Sequence, residues 1–430
     1  MIIAEERNIS GQRGGKMALS KLSLAIDKEL QDFEKRGILK GREKIVTAIK
    51  PAGGDKGPRV LIKGFGDREF LRMNSNSYLG MGLRKELVEA EEKTVEALGV
   101  GPGAGRSLSG TYEDHVELER ELARFHGKEA GMIFSSAYSA VVGTLFALIS
   151  EDTVVLSDEL NHNCIINGIR LARPKKKQVY VHNDIEDLHR GLEESAGRFK
   201  RAIVITDGIF SMRGEHAPLK EIADLVDDYD SRFTEGVLLM VDDSHGIGAS
   251  GETGRGAMEL SHENRVDVLI ATMGKAMGVN GGYVVSQRNL IIYLKETAPF
   301  YVYSNSITQG EASAIRKALE ILDSRRGRDM LKYLKDTADY FRKGLVDLGY
   351  EVIPSQHPIV PLMIRDTMKT KKLVRFLEEN NIFTAGIFYP IVPEGDELIR
   401  FQVSCDHTKY DIDYVLEILE RFIKEEALAT

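Results

Sequence analysis

The sequence predicts an α/β protein that has a mainly parallel central sheet and a smaller C-terminal α+β domain. Short apolar, β-branched runs alternate with helical stretches from about residue 100, and this pattern changes near residue 308. Strands that alternate with helices indicate a parallel sheet covered on both faces. We therefore divide the chain into an N-terminal segment (1–72), a large α/β domain (73–308) and a C-terminal α+β domain (309–430).

The N-terminal segment is predicted to contain one helix. Residues 1–20 are polar and charged, so we expect them to be mobile, with the segment packing on the small domain or on a partner chain. Apolar residues recur at helical spacing over residues 22–41 and predict a helix there. Gly41 is its predicted end, because glycine often follows the last helical turn.

Six apolar runs predict the strands of the large domain. Each has the length of a buried strand, and most lie next to an amphipathic helical stretch such as residues 219–233. The runs cover residues 131–136, 153–158, 177–182, 201–207, 236–243 and 266–273.

The C-terminal domain is predicted to begin with a long helical segment and to end with a helix. The first segment covers residues 308–349, and the terminal helix covers residues 411–428. Between them lie four predicted strands, at residues 350–355, 359–364, 383–390 and 398–404.

Composition and charge argue against several classes of protein. The net charge of −8 does not suit a nucleic-acid-binding protein. The basic run 173–178 is interpreted as a solvated loop, with local attraction of an anionic ligand as the alternative. The longest apolar stretch, 140–149, is too short to cross a bilayer. Two cysteines and a polar N-terminus predict a cytoplasmic protein without disulfides, and we expect no metal site.

Polar side chains lie at or just after the ends of several predicted strands, at the sheet edge where open parallel sheets bind ligands. They are Ser135, Ser136, Asp207, Ser211, Asp242, His245, Thr272 and Lys275, and Ser136 precedes Ala137 and Tyr138 at a predicted helix N-terminus. A single acid after a strand often caps a helix. Several polar strand ends at one edge are harder to explain by capping, so we interpret this edge as a functional site.

The residue types at this edge suit pyridoxal phosphate (PLP). A lysine can bond covalently to an aldehyde cofactor, and an acid can keep the pyridine nitrogen protonated. Free amides at a helix start can hold a phosphate. Lys275, Asp242 and His245 fit these roles. A nucleotide-binding alternative, based on the glycine-rich stretch 99–110, lacks the GxxxxGK[ST] spacing and has no strand before it.

Two stretches, "MVDDSHGIGASGETGRGA" and "TMGKAMGVNGGY", resemble the α-oxoamine synthases. The resemblance extends from residue 74 to residue 408. It implies a fold-type I PLP transferase that condenses an amino acid with an acyl-CoA as a homodimer or higher homo-oligomer, with the active site at the subunit interface. It implies no nucleic-acid or membrane partner.

Motifs within the chain resemble more than one branch of this family. "VDDSHGIG", "TDGIFSM" and "YSNS" are most similar to the glycine C-acetyltransferase branch, which implies glycine and acetyl-CoA as substrates of a reaction giving 2-amino-3-oxobutanoate, or its reverse. Residues 99–127 are more similar to 8-amino-7-oxononanoate synthase and serine palmitoyltransferase, which release CO₂. A decarboxylating condensation is therefore the alternative, and a PLP enzyme that does not use CoA is a more remote one.

The resemblance also implies roles for individual residues. Lys275 carries the cofactor and removes the α-proton, Asp242 pairs with the pyridine nitrogen, and His245 lies near the phenolic oxygen. The remaining assignments are His162 stacked on the ring, Ser211 near the phenolic oxygen, Ser136, Ala137, Tyr138 and Thr272 at the phosphate, Arg400 and Asn76 at the substrate, and Ser304 and Ser306 near the partner subunit's phosphate.

Overall fold

The computed structural model describes residues 20–36, 43–389 and 391–429 of the chain. The N-terminal segment contains helix α1 (Ser20–Lys35), strands β1 (Val46–Lys50), β2 (Arg59–Ile62) and β3 (Leu71–Arg72), and it leads into a 3₁₀ turn, Met81–Leu83. Helix α1 overlaps the predicted helix 22–41. Its predicted end at Gly41 lies outside the described residues, as does most of the stretch 1–20 that is predicted to be mobile.

The large domain is built on a seven-stranded sheet. Its strands are β4 (Ala130–Phe134), β5 (Thr153–Asp158), β6 (Lys176–Tyr180), β7 (Arg201–Asp207), β8 (Val237–Asp242), β9 (Val268–Thr272) and β10 (Gly282–Ser286), in the spatial order β4-β10-β9-β8-β7-β5-β6. Its helices are α2 (Lys85–Leu98), α3 (Glu113–Phe125), α4 (Ala137–Leu148), α5 (Asn163–Ala172), α6 (Ile185–Ser195), α7 (Leu219–Asp230), α8 (Ala257–Leu260), α9 (Arg288–Thr297) and α10 (Pro299–Val302).

The prediction of a mainly parallel sheet is confirmed. Strands β6, β5, β7, β8 and β9 pair in parallel, and all six predicted strands are present with small differences at their ends. The sequence analysis misses β10, which pairs antiparallel with both β4 and β9. The two glycines that begin this strand resemble turn residues, and its apolar run is short, so periodicity alone does not reveal it.

Both faces of the inner strands are buried, which explains why those strands have no polar alternation, whereas the edge strand β6 alternates exposed and partly buried residues. In β7, Ala202 and Val204 belong to one large apolar cluster, and Ile203 and Ile205 belong to another on the opposite face. Successive side chains of a strand point to opposite faces, so each strand contributes to both clusters. Helix α7 packs on the first face and α4 and α5 pack on the second.

The C-terminal domain contains a four-stranded antiparallel sheet and long helices. Its helices are α11 (Gln309–Leu322), α12 (Arg325–Asp347), α13 (Thr367–Glu379) and α14 (Lys409–Ala429), and its strands are β11 (Glu351–Val352), β12 (Ile359–Met363), β13 (Ile382–Phe383), β14 (Gly386–Ile387) and β15 (Leu398–Gln402). The sheet order is β11-β12-β15-β14, whereas β13 pairs with β3 of the N-terminal segment.

The prediction of one helical segment over residues 308–349 is wrong in one respect. The segment is two helices, because Asp323 and Ser324 interrupt it. The Ser324 side chain accepts a hydrogen bond from the Gly327 amide and starts α12. Apolar periodicity continues through this corner because both helices bury one side against the same core, so the sequence pattern does not show the break.

The fold brings the ends of several strands and the start of one helix to the same place. Strands β7, β8 and β9 end at the same edge of the sheet, the N-terminus of α4 lies beside them, and β15 supplies Arg400 from the C-terminal domain. In the part of the chain that the structure describes, no helix is both long and apolar enough to span a membrane.

Candidate active site

A cavity of about 180 Å³ lies at this edge. Nine residues predicted from the sequence line it: Ser136, Ala137, Tyr138, His162, Ser211, Asp242, His245, Thr272 and Lys275. The lining also contains Asp207, which the sequence analysis places at this edge without a role, together with Cys164 and Ser244. The cavity therefore collects polar side chains from three strand ends, the loops that follow them and two helix N-termini.

The start of α4 forms one wall of the cavity. The Ser136 hydroxyl caps the helix by accepting a hydrogen bond from the Ser139 amide at 3.1 Å. The amides of Ala137 and Tyr138 are in the first turn, where no earlier helical carbonyl is available to them. Such amides, at the positive end of the helix dipole, suit a phosphate group.

Gly282 allows α4 to come this close to the sheet. A Cβ atom on Gly282 would lie 2.2 Å from the amide nitrogen of Ala137. Thr272, at the end of the neighbouring strand, donates its hydroxyl to the carbonyl of Gly281 and accepts the amide of Gly274. Glycine at position 282 is therefore required by the packing of the helix start on β10.

Asp242, the last residue of β8, and the adjacent Asp243 point in different directions. Asp242 lines the cavity, where its Oδ1 accepts the Ser244 amide and its Oδ2 lies 3.5 Å from the Sγ atom of Cys164. Asp243 accepts the Ala257 amide at 2.7 Å, and burial raises its pKa to about 8. The first acid is thus available to a ligand, whereas the second holds the following loop.

Asp207 is a second carboxylate in the cavity. It is paired in register with Asp242 on the adjacent strand, and its Oδ2 accepts the His162 amide. Its Oδ1 is buried and has no partner among the described residues. Burial and the neighbouring Asp242 carboxylate raise the pKa of Asp207 well above its usual value.

Lys275 lies between two cavities. It lines the smaller cavity and also a second one of about 450 Å³, which extends among the N-terminal segment and the loop before α14. Its Nζ atom has no hydrogen bond or ion pair with any described residue. Burial lowers the pKa of Lys275 even though Asp242 and Asp207 act in the opposite direction. A lysine amine with a lowered pKa suits nucleophilic and proton-transfer chemistry.

His245 is buried and uncharged. Its Nδ1 atom lies 2.9 Å from the Tyr78 hydroxyl, and its carbonyl accepts a hydrogen bond from Nε2 of His357. Burial and the nearby charges of Lys275 and Arg400 lower the pKa of His245 well below its usual value. Burial also lowers the pKa of His357, to about 3. A fixed, neutral imidazole can donate or accept one proton at its free nitrogen.

Arg400 and Asn76 meet beside the cavity. The Nε of Arg400 donates to the Ser211 carbonyl at 2.6 Å, and its two terminal nitrogens lie 3.4 Å from Oδ1 of Asn76. Within the described chain, no carboxylate forms an ion pair with this guanidinium. Arg400 is therefore held in position with its charge uncompensated, which suits an anionic substrate group.

The remaining predicted residues are His162, Ser304 and Ser306. His162 caps α5 by accepting the Cys164 amide, and its Nδ1 lies 3.0 Å from the Cys164 sulfur. Ser304 and Ser306 follow α10 and line neither cavity that contains Lys275. Their predicted contact with the phosphate of a partner subunit stays a prediction.

The sequence analysis did not select five residues of the site as ligands. They are Tyr78, Cys164, Asp207, Ser244 and His357. Asp207 had a usable signal, because it ends a strand as Asp242 does. Tyr78 and His357 lie 167 and 112 residues from the histidine they contact, so no local pattern could have linked them.

Comparisons with known proteins agree with this fold. The family model for aminotransferase class I and II matches residues 68–419. A serine palmitoyltransferase from S. paucimobilis, solved with a bound PLP–myriocin adduct, superposes with a TM-score of 0.83 at 23% identity, covering 94% of this chain and 98% of that one. The fold and cavity thus define a transferase of the PLP-dependent, aminotransferase class I and II fold, which confirms the predicted fold class.

Curated relatives identify the family more closely. The 8-amino-7-oxononanoate synthase of Thermosipho melanesiensis is 37% identical over 399 residues, covering 93% of this chain and 97% of the relative. The enzyme of the same name from Bacillus pumilus is 37% identical over 360 residues, covering 84% and 89%. The chain therefore belongs to the α-oxoamine synthase family of PLP-fold transferases. These relatives favour the alternative branch of the sequence analysis over the glycine C-acetyltransferase branch.

Proposed function

We propose that this protein is a PLP-dependent acyltransferase that condenses alanine with pimeloyl-CoA to give 8-amino-7-oxononanoate, CoA and CO₂. The observation that carries this proposal is the place of Lys275, an unpaired amine shared by a small polar cavity and a larger one. A cofactor and an acyl donor could meet at this amine. The names of the relatives support the choice of substrates.

The residues of the smaller cavity fit PLP. The amides of Ala137 and Tyr138 with the Thr272 hydroxyl would hold the phosphate, and Asp242 would hold the pyridine nitrogen. His162 would cover one face of the ring. When bound, PLP supplies an aldehyde for the lysine amine and a ring that accepts electrons from the α-carbon of the substrate. The buried, partnerless Oδ1 of Asp207 is a further polar atom that this ligand could satisfy.

Four side chains have roles in the proposed chemistry. Arg400 holds the carboxylate of the amino acid with its fork of donors. Lys275, whose pKa is lowered by burial, accepts the α-proton on its unprotonated Nζ. In this proposal the Tyr78 hydroxyl, 2.9 Å from Nδ1 of His245, donates to that nitrogen, so the neutral imidazole carries its proton on Nε2. That proton can then be donated to the thioester carbonyl.

The proposal includes a homodimer in which Ser304 and Ser306 approach the partner's phosphate. Exposed apolar side chains near these serines support it: Val100, Leu108 and Tyr303 are 79%, 83% and 88% exposed. Apolar side chains this exposed suit an interface. Cytoplasmic location remains part of the proposal.

A second candidate is glycine C-acetyltransferase, favoured by the motifs "VDDSHGIG" and "TDGIFSM". This reaction keeps the carboxylate of glycine, so no CO₂ is released. A PLP enzyme that does not use CoA would instead exchange the α-proton without any thioester.

One experiment separates these functions. CoA and CO₂ release are measured for the purified, PLP-loaded protein against a matrix of alanine, serine and glycine with pimeloyl-CoA and acetyl-CoA. We expect both products with alanine and pimeloyl-CoA, and none with the Lys275→Ala variant. CoA without CO₂ from glycine and acetyl-CoA would replace the leading proposal by the second candidate.

A further inference from the structure

The larger cavity beside Lys275 has an amphipathic lining. Its volume is about 450 Å³, and Lys275, Gly274 and Asn76 form the part next to the proposed reaction site. The apolar side chains that line it are Ile49, Pro58, Val60 and Leu83. Arg72 is in the same lining. A ligand that fills this cavity can therefore place methylene groups on apolar side chains and an anion on a guanidinium.

Arg72 has a fixed backbone and a free side chain. It belongs to β3, which pairs with β13, and its carbonyl accepts a hydrogen bond from Nε2 of His407. Its guanidinium makes no hydrogen bond, ion pair or aromatic contact with the residues that the structure describes. Partial burial lowers the pKa of Arg72, and no carboxylate acts against that effect.

Apart from Lys275, the acidic residue of the lining and two neighbouring arginines already have partners among the described residues. Asp406, the acidic residue in the described lining, lies 3.9 Å from Arg84. Arg59, which directly precedes the cavity-lining Val60 in β2, forms an ion pair of 2.5 Å with Asp411. Arg72 therefore differs from these arginines, because its charge is left for a ligand.

We propose that Arg72 binds an anionic group of the acyl donor, and that this group is the carboxylate at the free end of the acyl chain. The inference rests on the proposed condensation and adds a residue that selects the donor. The acyl group begins at the atoms that react beside Lys275, so its chain can lie in the same cavity. The phosphates of CoA offer the same anionic chemistry, but the pantetheine arm separates them from the thioester.

Two donors of equal chain length test this role. Pimeloyl-CoA has a terminal carboxylate, and heptanoyl-CoA has a methyl group at the same position. CoA release with alanine is measured for the PLP-loaded parent protein and for Arg72→Met and Arg72→Lys. We expect the parent to prefer pimeloyl-CoA in kcat/KM by roughly 10- to 100-fold, the usual effect of one charge-assisted pair.

The preference should depend on the guanidinium. Arg72→Met is expected to bring the ratio of the two kcat/KM values close to one, through a higher KM for pimeloyl-CoA. Arg72→Lys should keep part of the preference, because lysine keeps the charge but not the fork. Arg375→Met is the matched control: Arg375 is exposed on α13, lines neither cavity and has no ion pair with a described residue. It should keep the ratio of the parent.

The thioesters of pantetheine, which lack the CoA phosphates, identify the source of the anion. An equal loss with both CoA donors but no loss with pantetheine thioesters would support anion binding with a phosphate as the ligand. If Arg72→Met keeps the parent ratio and the parent KM with all four donors, the inference is wrong while the condensation stands. If the parent protein releases no CoA from any donor, the proposed function itself is wrong.

Discussion

Gly282→Ala tests whether the start of α4 forms the phosphate-binding wall. A methyl group at this position would lie 2.2 Å from the Ala137 nitrogen, 2.4 Å from its Cα and 2.5 Å from the Ser136 carbonyl carbon. Ordinary contact begins at 3.4 Å, so β10 and the helix start must separate by about 1.2 Å, the difference between 3.4 and 2.2 Å. All three neighbours are backbone atoms, so no side-chain rotation can relieve the overlap.

The expected effect has two parts. Overfilling a packed site costs about 1–3 kcal/mol of folding free energy. Gly282 does not have a positive φ, so this cost is steric alone. A displacement of this size also misdirects the amides of Ala137 and Tyr138. Losing one charge-assisted hydrogen bond to phosphate costs about 1.5–3 kcal/mol, so the Kd for PLP should rise roughly 10- to 100-fold.

The assay is a titration of the cofactor-free protein with PLP, followed by absorbance, together with thermal unfolding of the same sample. Gly53→Ala is the control, because a Cβ there meets no atom within 4 Å and its φ is not positive. An unchanged Kd and an unchanged Tm in Gly282→Ala would refute the packing argument. A lower Tm with an unchanged Kd would retain the packing argument and refute the phosphate role.

Three other substitutions test the remaining parts of the site. Burial lowers the pKa of Lys275 in the folded chain, so its protonated form opposes folding. Lys275→Met should therefore raise the Tm of the cofactor-free protein at pH 7, and the gain should disappear as the pH rises to the unfolded value of about 10.4; a gain independent of pH would contradict this. Asp242→Asn should still bind PLP but lower kcat for CoA release by roughly 100-fold or more, and full activity would exclude its role at the pyridine nitrogen. Arg400→Lys should raise the KM for the amino acid by roughly tenfold or more with a smaller change in kcat, and an unchanged KM would remove its carboxylate role.

Local patterns in the chain were sufficient for much of the site. Asp242 and Thr272 are the last residues of buried strands and Lys275 lies three residues after one, and strand ends of a parallel sheet meet at one edge. The capped start of α4 was likewise visible in the order of a strand, Ser136 and an apolar helix. These residues could be predicted because strand and helix periods are properties of short stretches of chain.

The same local patterns could not identify contacts between residues that are distant in the sequence and meet only in the folded chain. Tyr78 reaches His245 from the N-terminal side of the large domain, and His357 reaches it from the C-terminal domain. The Sγ atom of Cys164 in α5 lies 3.5 Å from Oδ2 of Asp242 in β8. Each contact depends on the packing of whole elements, and no spacing in the sequence encodes that.

Patterns in the sequence were enough to predict the α/β class, six of the seven strands of the main sheet, the family and the lysine at the centre of the site. Tertiary structure decided that β10 enters the sheet antiparallel, that Asp242 rather than Asp243 faces the cavity, and that the Arg72 guanidinium has no partner among the described residues. The physical reason is the range of the interactions. Hydrophobic periodicity acts over a few residues, whereas side-chain direction, burial and unpaired charge depend on neighbours that are distant in the chain.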